Sequence, residues 1–115
     1  MDLQEIDQLI NDDQLDKAQL ELSKLGSKFH RNAEYLFLRS RVFYLKDLHY
    51  MAIDTLLIAL EFGEDEKIFV LLSEIYSILG NYDLSKKILD KNLRADAIKT
   101  LKDSLKGIYR KNEKK

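Results

Sequence analysis

Three segments of this chain match one another at a fixed interval, and that recurrence restricts the possible folds more than any other feature. Ala18, Ala52 and Ser85 stand 34 and 33 residues apart. Four residues on come Leu22, Leu56 and Leu89, and seven on come Leu25, Ala59 and Asn92. Upstream, Asp13, Asp47 and Gly80 occupy one turn position, followed two residues later by Leu15, His49 and Tyr82. The segment before each later turn aligns Leu36 with Phe69, Ser40 with Ser73, and Phe43 with Tyr76. A unit of this length that recurs in register is one supersecondary element, which buries its apolar side by stacking on its neighbours.

The units read as helical hairpins. Asp2 and Glu5 form a capping-box pair ahead of Leu3, Ile6, Leu9 and Ile10, which share a helical face. Asn11-Asp12-Asp13 interrupts that run and is expected to supply the N-cap of a second helix whose stripe is Leu15, Ala18, Leu22 and Leu25. Gly26 is placed as its left-handed C′ residue, and Ser27–Asn32 as a loop. A third helix is expected over Ala33–Lys46. A fourth, capped by Asp47, leads to Gly63; a fifth covers Glu66–Leu79 and stops at Gly80. A sixth is expected over Tyr82–Leu93 with Ser85, Ile88, Leu89 and Leu93 facing inward. The last runs over about 95–111 with Ile98, Leu101, Leu105 and Ile108. Tyr35–Leu45 is rich in strand formers, but helical neighbours and the lack of a hairpin turn favour helix.

With these residues in place, the chain resembles the tetratricopeptide-repeat (TPR) family, whose unit is a helix–turn–helix of 34 residues. The resemblance rests on Leu36, Ser40, Phe43, Ala52, Leu56 and Ala59 in one repeat. In the next it rests on Phe69, Leu72, Ser73, Tyr76, Gly80, Tyr82, Ser85 and Leu89. Arg39 and Asn92 depart from the family pattern, and its terminal proline is absent. The resemblance implies an all-α, right-handed α-α superhelix of about seven antiparallel helices in a single domain, 1–115. Its parts are a partial first repeat over about 1–32, repeats over 33–65 and 66–94, and a capping helix over about 95–111. It also implies that Ala18, Leu22, Leu36, Ser40, Phe43, Ala52, Leu56, Ala59, Phe69, Leu72, Ser73, Tyr76, Ser85 and Leu89 pack the repeats.

Composition narrows the chemistry. There is no cysteine, which excludes disulfides, thiolate metal sites and cysteine nucleophiles. The two histidines, His30 and His49, have no ligand-like spacing, and His49 stands at a repeat position suited to packing. Gly26, Gly63, Gly80 and Gly107 are isolated and build no phosphate loop. Asp12, Asp13 and Asp16, and Glu61, Glu64, Asp65 and Glu66, lack the order of a calcium loop and suit helix N-termini. No enzyme, metal or cofactor is expected. The acidic opening Met1–Glu5 does not resemble a secretory leader, no apolar run is long enough to cross a bilayer, and the cytoplasm is the expected location.

Function is therefore expected on a surface. In the family, the first helix of each hairpin lines a concave face. The matching positions here are Leu3 and Asp7, then Phe37, Arg41, Tyr44 and Leu45, then Val70, Glu74, Ser77 and Ile78. The resemblance implies a protein partner held there, a peptide or amphipathic helix, with Arg41 and Glu74 orienting it through charge. Leu3 and Asp7 are the wrong residues for gripping a C-terminal carboxylate. In size and repeat number the chain is also similar to small TPR chaperones of bacterial secretion systems. One alternative is a subunit of a homo- or hetero-oligomeric assembly, a homodimer included. The other is an RNA- or membrane-associated module using residues 94–115, where eight basic residues face three acidic ones, a net of +5. That stretch has no aromatic platform beyond Tyr109, so nucleic acid and membrane are the weaker expectations.

Overall fold

The computed structural model describes residues 1–113, and side chains through residue 105. Among them the chain is all-α. The helices are α1 (Leu3–Asn11), α2 (Leu15–Phe29), α3 (Ala33–Leu45), α4 (His49–Ala59), α5 (Glu66–Ile78), α6 (Tyr82–Leu89) and α7 (Arg94–Glu113). The strand-prone stretch Tyr35–Leu45 lies within α3, where Tyr35, Leu36, Leu38, Val42 and Phe43 are buried. Two compact units divide the chain, Met1–Ile68 and Phe69–Lys115.

Helix starts follow local chemistry. Asp2 Oδ1 accepts from the Glu5 N–H at 2.8 Å, and Glu5 Oε1 accepts from the Asp2 N–H at 3.3 Å, completing the expected box. Asn32 caps α3 by accepting from the Tyr35 N–H at 2.9 Å, and Asn81 caps α6 through the Leu84 N–H at 3.3 Å.

The turns between α1 and α2, α3 and α4, and α5 and α6 share one geometry. Asp13, Asp47 and Gly80 all have left-handed backbone, with φ of 60°, 62° and 87°. One residue on, the N–H of Gln14, Leu48 and Asn81 donates to the carbonyl of Leu9, Phe43 and Tyr76, each at 2.9 Å. The N–H of Asp13, Asp47 and Gly80 closes a tighter bond to Ile10, Tyr44 and Ser77, each at 3.0 Å. This is the glycine-type helix stop, with aspartate filling it twice because its short polar side chain tolerates the left-handed region. It corrects the reading of Asn11-Asp12-Asp13 and of Asp47 as N-caps: Gln14 and Leu48 hold that position, and neither caps with its side chain.

Gly26 is also reassigned. Helix α2 runs through it to Phe29, so the expected loop Ser27–Asn32 shrinks to the last three of those residues. A Cβ at Gly26 would lie 3.2 Å from the Tyr35 hydroxyl oxygen, so the glycine answers close packing rather than a turn.

In the first unit α1 packs on α2, α2 and α1 on α3, and α3 on α4. Ile6, Ala18, Leu22, Leu38, Ser40, Ala52 and Leu56 are almost wholly enclosed. Burying Leu38 or Leu56 contributes about 1.5–3 kcal/mol each relative to exposure. In the second unit Ser73 and Ser85 bond reciprocally: each hydroxyl donates to the other's carbonyl, at 2.9 and 2.8 Å, with the hydroxyl oxygens 2.7 Å apart. Arg94 starts α7, its guanidinium 3.9 Å from the Phe69 ring centre and its Nε donating to the Ile88 carbonyl at 2.9 Å.

Leu89 and Leu93 do not join that core; both are about half exposed. Helix α6 ends at Leu89 because Asp90 turns extended (ψ 115°), and its carbonyl accepts from Leu93 and Arg94 to begin the next helix. Within α7, Ala97 is buried and Ile98, Leu101 and Leu105 are half-buried. The side chains of Lys106, Gly107, Ile108, Tyr109, Arg110, Lys111 and Glu113, and all of Lys114 and Lys115, lie outside the described residues.

Candidate functional site

The expected surface positions divide sharply in how they are used. On α3, Arg41 is already engaged: one terminal nitrogen donates to Asp7 Oδ1 at 2.7 Å and the other to Asn11 Oδ1 at 3.0 Å. This fork ties α3 to α1 across 34 residues of sequence, and the Arg41 guanidinium is paired within the chain. Asp7 and Arg41 occupy equivalent repeat positions with opposite sign.

Phe37 is half-buried beneath the Lys67 ammonium, 4.9 Å from its ring centre, and Lys67 also pairs with Glu34. Tyr44 is half-buried, its ring 5.9 Å from that of His49 and tilted by 52°. His49 packs as the repeat position suggested, and its Nδ1 is enclosed without a hydrogen-bond partner. Leu3 is half-buried too. Leu45 is the open apolar position on α3.

On α5 the picture changes. Val70 is 51% exposed and Ile78 is 54% exposed, with exposed Glu74 between them and Ser77 half-buried. Val70, Glu74 and Ile78 are spaced by four, so they form one row along successive turns. An apolar–acidic–apolar row facing solvent is suited to an apolar segment that carries a basic residue.

Of the packing positions, thirteen are buried or half-buried and Leu89 is not. Arg39, which departs from the family pattern, is exposed with its guanidinium 5.6 Å from the Phe43 ring centre.

Two features escaped sequence reasoning. A cleft of about 320 Å³ opens between α2 and α3, lined by Gln19, Ser23, Gly26, Tyr35, Arg39 and Val42. The missing Cβ at Gly26 was its one sequence signal, and that glycine also fitted a helix stop. Nearby, Lys46 bonds Asp16 Oδ1 at 2.5 Å and Gln19 Oε1 at 2.6 Å. The lysine's hydrogen bond and charge hold the Asp16 carboxyl below the usual carboxylate range. The second feature is the outer face of α4 and the turn after it, where Tyr50, Met51, Ile58 and Phe62 are exposed.

Among the described residues no group of three or more histidine, aspartate or glutamate side chains is placed to hold a metal ion. No described helix is long and apolar enough to cross a membrane. Comparison with known proteins finds no family model, no curated protein and no solved structure that matches this chain.

Proposed function

We propose that this chain is a binding module of the TPR kind, without catalytic activity, that captures an apolar segment of another protein. The open row Val70–Glu74–Ile78 on α5 carries this reading. A valine and an isoleucine two turns apart, each about half exposed, cost solubility and stand outside the described core, as expected of a contact surface. The threefold turn, with left-handed residues 34 and 33 apart, supports the repeat assignment. The resemblance assigns ten positions to the surface. Leu45, Val70, Glu74 and Ile78 remain open for a partner, whereas Arg41 is committed to Asp7 and Asn11.

The test is selection of binders from a random peptide library on the full chain, followed by affinity measurement with Val70→Asp and Ile78→Asp. The expected binders are apolar helical peptides with a basic residue, weakened at least tenfold by either substitution. Selected peptides that bind both variants as tightly as the parent would refute the reading.

A further inference from the structure

The outer face of α4 differs from its counterpart on α2 in a way that packing does not require. Met51, Ile58 and Phe62 are 48%, 46% and 40% exposed. Met51 and Ile58 are seven residues apart, and Phe62 follows four later, where its N–H still bonds back to the Ala59 carbonyl at 3.0 Å. Met51 and Ile58 therefore share one face of α4, about 10 Å apart at 1.5 Å per residue, and exposed Phe62 extends this apolar strip into the turn beyond the helix. Shifted back by 34 residues, the same positions on α2 are Lys17, Lys24 and Lys28, all exposed. One hairpin thus solvates this face with lysine, and the next presents methionine, isoleucine and phenylalanine there. Tyr50, also exposed, replaces Asp16.

Charge indicates what covers the strip. From Asp47 to Glu66 the chain has six acidic residues and no lysine or arginine. Asp65 lies 4.0 Å from Lys67, while Glu61 and Glu64 are exposed at the Phe62 end. Two copies meeting through this face would bring a stretch without lysine or arginine against itself, which disfavours self-association. We propose that the α4 face is a docking site for a cationic amphipathic helix of another protein, its apolar side on Met51, Ile58 and Phe62 and its lysines or arginines toward Glu61 and Glu64. Apolar burial supplies the affinity, and the acidic flank selects basic partners. This proposal draws on other residues than the α5 row and stands or falls without it.

The probe is an 18-residue synthetic peptide with leucine on one helical face and lysine on the other; its twin has glutamate in place of lysine. Fluorescence anisotropy with the full chain is expected to show the lysine peptide binding at least tenfold tighter. Ile58→Asp should weaken it at least tenfold, and Glu61→Lys with Glu64→Lys severalfold with the strip intact. Val70→Asp should change binding less than twofold. If circular dichroism shows Ile58→Asp unfolded, Phe62→Ser outside α4 serves instead. Equal binding of the two peptides overturns the proposal, as does no effect from the substituted strip. It is equally overturned by a dimer in light scattering that the strip substitution dissolves, since a second copy would then be the occupant.

Discussion

Replacing Gly80 by alanine isolates the cost of the shared turn. Gly80 has φ of +87°, and a Cβ built there meets nothing within 4 Å. Steric contact with the rest of the protein therefore contributes nothing, and the whole effect is conformational. Holding an L-residue in the left-handed region costs about 1–2 kcal/mol. Alanine also restricts the unfolded chain, which returns about 0.4–1 kcal/mol. The net expectation is a loss of about 1 kcal/mol, or roughly 4 °C in melting temperature for a chain of this size. Gly80→Asp should cost less than Gly80→Ala, because Asp13 and Asp47 already hold the same conformation at the equivalent positions. Urea titration of the full chain measures both, with the slope of the transition checked for constancy. Alanine and aspartate variants as stable as the parent would refute the left-handed turn at Gly80. An aspartate variant less stable than the alanine one would refute the equivalence of the three turns.

Other outcomes follow from the same geometry. Gly26→Ala should gain less than the usual helix-interior benefit of about 0.5–1 kcal/mol, because its Cβ presses on the Tyr35 hydroxyl; in a Tyr35→Phe background the full gain should return, measured as a double-mutant cycle. A cycle without coupling would disprove the contact. Ala52→Leu should overpack the α3–α4 contact and cost about 1–3 kcal/mol by urea titration, since Ala52 has no exposed surface. The Asp16–Lys46 bond lowers the folded pKa of Asp16, so its contribution is fully present above the unfolded carboxyl value of about 3.9 and is lost as pH falls through the folded value. Asp16→Asn should therefore lower stability at pH 6 in low salt but not at pH 2, and the difference should shrink in high salt because the pair is at the surface.

The interval of 34 and 33 residues was readable because packing repeats with it: Ser40 and Ala52, like Ser73 and Ser85, need small side chains at the same two places. The helix ends were less readable because one residue type serves several purposes. Aspartate caps helices and also tolerates left-handed backbone, so Asp13 and Asp47 were placed one position from their real task. Glycine ends helices and also admits a close neighbour, so Gly26 reads as a stop from sequence alone. Leu89 kept the periodicity of a core residue, but the extended backbone at Asp90 ended α6 before it could pack. The pairing of Arg41 is not legible along one helix because its partner Asp7 lies 34 residues away. Comparing equivalent positions between repeats would have paired their charges. The same comparison exposes the α4 strip, where Lys17, Lys24 and Lys28 give way to apolar side chains.

The central claim, that the α5 row meets a protein partner, is tested most directly by placing a photoreactive phenylalanine analogue at position 70, 78 or 86 in the full chain. After irradiation in the cells that make it, crosslinked products would be identified by mass spectrometry. The account expects one recurrent protein partner at 70 and 78, and none at Lys86, an exposed residue of α6 outside the row. Crosslinks at 86 as abundant as those at 70 and 78, or only copies of the chain joined to one another, would contradict it.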